Sequence, residues 1–208
     1  MDSEAKAEFA AKDFTMGQLN ALVKKIGGPD AVDGLMRGEL KVIPNWKVWM
    51  RVPLGVCSTG WAYIEQIRRV RKMDMVEYAY NVLERKDFPC SLSLKYAHLV
   101  LTTPWELGFT KEPSILELYK RAEQWGLKLC RLEVAPALRL KYHSLSGEVL
   151  HIATPVLFRN EEQGEGDAAD PFIFTVQYVG GPQTLGASPV PSRCRVDLGS
   201  MFIFEVIV

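Results

Sequence analysis

Apolar positions along this chain switch between helical and strand spacing, and the switches mark out its elements. Thr15 and Gln18 match a capping box, and Leu19, Leu22, Val23 and Ile26 behind them share one helical face that Gly27 and Gly28 end. Pro29 and Asp30 restart the chain, Val32, Leu35 and Met36 form a second apolar stripe, and Gly38 terminates it. The pattern predicts a compact helical hairpin. From Leu40 the period becomes two, with Val48, Met50, Val52 and Leu54 on one face and Lys47, Trp49 and Arg51 on the other, which predicts a half-buried strand. Ser58 or Thr59 then caps a helix carried by Trp61, Ile64 and Ile67, and another helix follows Asp74 on Val76, Ala79, Tyr80 and Leu83.

Between Ser91 and Leu101 the alternation returns, with Leu92, Leu94, Tyr96, His98 and Val100 on one side of a strand that Pro104 closes. Ser114 and Glu117 form a second capping box, opening a helix with Ile115, Leu118, Tyr119, Ala122 and Trp125 inward and Gly126 as its stop. Strand-forming residues dominate thereafter, over 137–143, 148–158, 172–179 and 201–208. The last two runs are apolar on both faces, as befits the centre of a sheet covered on both sides. An acidic, Gly-rich loop is expected over 161–170 and an irregular Gly- and Pro-rich loop over 180–194. The fold expected is α+β: an N-terminal helical hairpin, a mixed middle section and a C-terminal, mainly antiparallel sheet packed on helices. A polar arm over 1–14, a hairpin module over 15–43 and an α+β body over 44–208 divide it.

Composition narrows the function classes. The chain has 208 residues, 48% of them hydrophobic, so it can bury a core without metals or disulfides. Its 25 Lys and Arg balance 25 Asp and Glu, which argues against coating nucleic acid by bulk electrostatics. No apolar run reaches the roughly 18 residues of a membrane span, and the N-terminus lacks the apolar stretch of a signal peptide, so a cytoplasmic protein with no membrane partner is expected. Cys57, Cys90, Cys130 and Cys194 show no C-x-x-C pairing and read as reduced thiols. There is no P-loop, dinucleotide fingerprint, G-x-S-x-G elbow or H-E-x-x-H helix, and no cofactor is expected.

Three constellations carry candidate chemistry. Cys57 lies just before a helix N-terminus, where the dipole and free N–H groups favour a thiolate; with His151 or His98 as base it would make a cysteine-dependent hydrolase. In arrangement only, it resembles the cysteine-at-helix-start of papain-like hydrolases. Arg68, Arg69, Arg71 and Lys72 form a cluster suited to phosphate or nucleic acid, and equally to a helix C-terminus. Trp49 and Trp105 are candidate exposed anchors for a protein partner. His143 and His151 with Cys130, Glu133 or Glu148 have no recognised metal-ligand spacing, so no metal site is assigned. A helix-turn-helix reading of the hairpin puts Asp33 where a buried aliphatic residue belongs.

The segment FTMGQLNALVKKIGGPDAVDGLMRGELKV resembles an opening segment of uncharacterised bacterial proteins with no assigned function. The resemblance implies a docking or assembly element and brings no catalytic residues with it. The reading favoured is a non-enzymatic binding or assembly protein, with a protein partner or self-association and the hairpin as docking or oligomerisation element. A cysteine hydrolase and a nucleic-acid binder are its alternatives.

Overall fold

The run Met201–Val206 sends alternate side chains into two different cores. Ile203 joins Val52, Leu54, Ala97 and Leu99, whereas Phe202 and Phe204 join Val100, Ile173 and Leu118. A strand that is apolar on both faces must be covered on both, at about 2 kcal/mol per fully buried aromatic side chain. In the computed structural model this run is the last strand of an eight-stranded sheet with helices on each side.

The structure describes residues 15–39, 44–70, 73–142, 149–157, 172–177, 183–190 and 195–207. The chain divides into two compact units between Ile43 and Pro44. The first holds α1 (Met16–Ile26) and α2 (Pro29–Met36). The second runs β1 (Met50–Leu54), α3 (Gly60–Arg69), β2 (Met73–Met75), α4 (Glu77–Glu84), β3 (Lys95–Thr102), α5 (Ile115–Gln124), β4 (Leu127–Lys128), α6 (Val134–Lys141), β5 (Val149–Ile152), β6 (Phe172–Gln177), β7 (Gln183–Pro189) and β8 (Met201–Val206). Among the described residues no helix is long and apolar enough to cross a membrane.

Strand order is β1-β3-β8-β5-β6-β7-β2, with β4 also paired to β8. Helices α3, α4 and α6 cover one face through Tyr63, Ile64, Ala79, Leu83, Val134 and Leu138, and α5 covers part of the other through Ile115, Leu118 and Ala122. Pro53 sits in β1, an outer strand, where its missing N–H interrupts no inner ladder.

The fold is mixed α and β as expected, one expectation is met in part and two are corrected. The sheet is mixed: five of its seven strand pairings are antiparallel, but β5 pairs parallel to β8 and β2 parallel to β7, because β8 returns between β3 and β5 instead of extending a meander. Most of the predicted strand over 137–143 is helix α6, whose buried Val134, Ala135, Ala137 and Leu138 make a short apolar run that periodicity cannot assign; Pro136 is tolerated because it lies in the first turn. The predicted irregular loop contains β7, which pairs with β6 over six residue pairs from Phe172↔Pro189 to Gln177↔Thr184. Gly186 suits that ladder because a Cβ there would come within 2.5 Å of the Thr175 hydroxyl.

Smaller differences follow the same physics. Asp74 lies in β2, and Val76 occupies the N-cap of α4 without a side-chain cap bond. The run predicted over 148–158 forms a strand only at Val149–Ile152, plus one bridge between Leu157 and Phe172. In the Leu92-to-Val100 row, Ala97 and Leu99 are the positions buried against α3, α4 and α6, while Leu92, Leu94 and Tyr96 on the other side are exposed. The arm 1–14 and the acidic loop 161–170 lie outside the described residues.

Candidate functional site

Glu133 stands at the start of α6 and is buried, yet its side chain makes no capping bond to its own helix. It reaches three other elements instead. Oε1 accepts from the Gly55 N–H at 2.8 Å and from the Tyr63 hydroxyl at 2.9 Å, and Oε2 accepts from the Ser91 N–H at 2.8 Å. One carboxylate thus joins the turn after β1, helix α3, the segment before β3 and the start of α6. Gly55 has φ +75°, and a Cβ there would lie 2.4 Å from the Ser93 carbonyl oxygen, so this backbone approach requires glycine. Burial alone would raise the Glu133 pKa, but the hydrogen bonds from Ser91, Gly55 and Tyr63 outweigh it and hold the group below the usual carboxylate range.

The charge acts on its neighbours. Burial, then the Glu133 charge, pushes the Cys57 thiol up, and the same two causes with Cys57 push Cys90 up to about 11. Tyr63 is raised as well, first by burial and then by Glu133. An activated thiol needs the opposite field, a cation or imidazolium beside the sulfur. Neither histidine supplies one. His98 alternates with Ala97 and Leu99, which point toward the core that holds Cys57, so His98 projects to the opposite face. His151 also lies on that opposite face, stacked on Phe202 at 4.9 Å, and its strand is three places from β1, roughly 14 Å across the sheet. Burial lowers the His151 pKa, and its Nδ1 is enclosed without a hydrogen-bond partner among the described residues.

Cys57 should accordingly behave as a protected thiol: iodoacetamide at neutral pH is expected to label it far more slowly in the folded protein than in denaturant. Rapid labelling below pH 7 would contradict the site described above.

The other sequence candidates are dispersed. Arg68 lies over the Tyr80 ring at 5.0 Å and Arg69 pairs with Glu65 at 3.4 Å; Arg71 and Lys72 lie outside the described residues. Trp49 is half-buried, edge-on to Tyr142 at 5.1 Å, while Trp105 is exposed in the turn after β3. Cys57, Cys90 and Cys130 are free thiols. Among the described residues no three His, Cys, Asp or Glu side chains converge to hold a metal; His143, Glu148 and Cys194 lie outside them.

The hairpin presents a different kind of site. Thr15 and Gln18 form the expected capping box, with the Gln18 N–H donating to Thr15 Oγ1 at 3.3 Å and the Thr15 N–H to Gln18 Oε1 at 2.9 Å. Gly27 closes α1 in the left-handed region at φ 119°, and Pro29 starts α2 at its first helical position. Both helices are amphipathic, yet α1 has no buried residue and α2 buries only Gly34. Met16, Leu22 and Met36 are 71%, 49% and 80% exposed.

No protein-family model, curated protein or solved structure matches the chain.

Proposed function

We propose that this is a non-enzymatic binding or assembly protein whose N-terminal hairpin docks onto the same hairpin of a second copy. The observation that carries the reading is the exposure of Met16, Leu22 and Met36 on α1 and α2, beside stripe residues Leu19, Val23, Ile26, Val32 and Leu35 that are only half-buried. Helices of 11 and 8 residues are marginal in water on propensity alone, and most helical stability comes from packing an amphipathic face. α1 is capped at its start by Thr15 and closed at the Gly27 turn, and α2 starts on Pro29 without a side-chain cap, so local signals leave much of the hairpin's stability to packing of its apolar side chains.

Charge selects the occupant. α1 carries Lys24 and Lys25, whereas α2 carries Asp30 and Asp33. A two-fold arrangement that lays α1 of one copy against α2 of the other sets basic beside acidic at two symmetric places and buries both stripes in a four-helix bundle. Covering Met16, Leu22 and Met36 from each copy contributes on the order of 10 kcal/mol, offset by an association cost of similar size. The dimer should therefore be concentration-dependent.

Light scattering on the eluting peak of the full chain, loaded at about 5 to 500 µM, tests this. The mass is expected to rise toward twice the chain mass with loading. Leu22→Glu should shift the rise to at least tenfold higher concentration, because one ionised side chain in a closed apolar seam costs well over 1.4 kcal/mol. Leu116→Glu, the same exchange at a leucine that is 67% exposed on α5 outside the hairpin, should leave the curve unchanged. A monomer at every concentration, or equal behaviour of the two variants, would refute the docking role.

A further inference from the structure

Two of the segments that Glu133 ties together end in an exposed apolar tip. Its carboxylate holds the Gly55 and Ser91 N–H groups at 2.8 Å each, and the backbone at Gly55 approaches the Ser93 carbonyl so closely that no Cβ fits between them. The turn after β1 and the approach to β3 therefore run side by side, which brings Val56 to the same end of the β1–β3 pair as Leu92 and Leu94. Leu92 is fully exposed, and Val56, Leu94 and Tyr96 are each more than half exposed. Large apolar side chains grouped on a surface mark contact with a partner or a membrane.

The charges around this tip are of one sign. Residues 44–60 and 88–105 contain Lys47, Arg51 and Lys95 and no Asp or Glu. Pro53 pairs with Tyr96, so Arg51, two places from Pro53, lies on the Tyr96 face, and Lys95 stands exposed between Leu94 and Tyr96. Neither cation has an ion pair among the described residues. The carboxylate beneath them, Glu133, is buried with both oxygens bonded. The chain as a whole has no net charge, so attraction to an anionic surface is local to the tip and orients it.

We propose that the tip docks on an anionic lipid bilayer, with Val56, Leu92 and Leu94 entering the interface, Tyr96 at headgroup level and Arg51 and Lys95 among the lipid phosphates. Apolar side chains beside basic ones, with an aromatic ring at the boundary, are what interfacial binding uses. Such binding needs no membrane-crossing helix, and it revises the expectation of no membrane partner. A second copy set tip to tip would bring like charges together. A peptide strand finds the outer edge of β1 closed, because Pro53 has no N–H and the Arg51 carbonyl already accepts from Lys141 Nζ. Side chains that project suit a surface that yields around them.

Co-sedimentation of the full chain with vesicles of equimolar phosphatidylglycerol and phosphatidylcholine, at about 0.1 M salt, tests the proposal. The chain is expected to pellet with these vesicles, at least about tenfold more strongly than with phosphatidylcholine alone, and less as salt is raised. Leu92→Ser/Leu94→Ser and Arg51→Gln/Lys95→Gln should each weaken partitioning about tenfold or more. All four positions are exposed, so both variants should fold, and circular dichroism is recorded on each. Leu22→Glu, in the hairpin, should partition like wild type. Loss in the cation variant alone would mean simple electrostatic adhesion and overturn the proposal, as would equal binding to phosphatidylcholine or a loss in Leu22→Glu as large as in the tip variants. Absence of vesicle binding would overturn it too and leave an acidic protein as the tip's partner.

Discussion

Glu133→Leu is expected to destabilise the body by about 4 kcal/mol, a large share of the roughly 5–15 kcal/mol that separates folded from unfolded domains. The leucine fits the apolar surroundings, but it abandons three donors, the Gly55 and Ser91 N–H groups and the Tyr63 hydroxyl, all of which the carboxylate now satisfies. Each buried donor left without an acceptor costs about 1–3 kcal/mol. Glu133→Gln should cost about half as much. Its carbonyl oxygen can take the place of Oε1 and keep the Gly55 and Tyr63 bonds, while its amide turns hydrogens toward the Ser91 N–H. Urea unfolding of the three proteins at pH 7 checks the ranking.

The pH dependence has a defined sign. In the folded chain the Glu133 carboxyl titrates below the ordinary value of 4.5 that it regains on unfolding. Its ionised form therefore stabilises the protein fully above that ordinary value, and the stabilisation is lost as pH falls through the lower, folded value. The gap between wild type and Glu133→Gln should narrow as pH is lowered through this range. A gap that stays constant would mean that the charge contributes nothing and that only the geometry of the acceptor matters.

Gly60→Ala should be nearly as damaging, at about 3 kcal/mol, although alanine is ordinarily the better helix residue. The added methyl would sit 2.0 Å from the Leu83 carbonyl oxygen and 2.9 Å from its carbonyl carbon. This is backbone of α4, which cannot rotate away as a side-chain tip can. Relief requires α3 to separate from α4, which disturbs the packing of Tyr63, Ile64, Ala79 and Leu83 together. Thermal unfolding should show a melting temperature lowered by several degrees or more. An unchanged or raised melting temperature would show that the two helices do not approach this closely.

Gly60 also shows where a single sequence stops being informative. Its neighbours Thr59 and Trp61 announce a helix start by local rules, and the structure places the cap at Thr59, with its hydroxyl oxygen accepting from the Ala62 N–H. The same locality made both capping boxes legible, at Thr15–Gln18 and Ser114–Glu117, because all the atoms involved lie within three residues. A glycine needed for contact with a backbone 23 positions later leaves no such trace, and neither does Glu133, whose partners lie 42, 70 and 78 positions away. The run Glu133-Val-Ala-Pro did hold a helix-start signal, an acidic residue ahead of a first-turn proline, which the β-like residues after it obscured. Exposure was equally illegible: the alternation of Leu92, Leu94 and Tyr96 announces a strand, but which face meets the helices depends on where those helices pack.

The docking role of the hairpin makes one demand that simple surface stickiness does not: α1 of one copy must meet α2 of the other. Sedimentation equilibrium on two full-length variants, Lys24→Glu/Lys25→Glu and Asp30→Lys/Asp33→Lys, tests this directly. Each reversal weakens the favourable helix-dipole placement by about 0.3–1 kcal/mol per charge, so helicity is followed in the same samples. Each variant alone should remain monomeric where the wild-type chain dimerises, because like charges then face each other at both symmetric places. An equimolar mixture should recover a dimer containing one copy of each. Dimerisation of either variant alone at wild-type strength, or a mixture of folded variants that stays monomeric, would contradict the account.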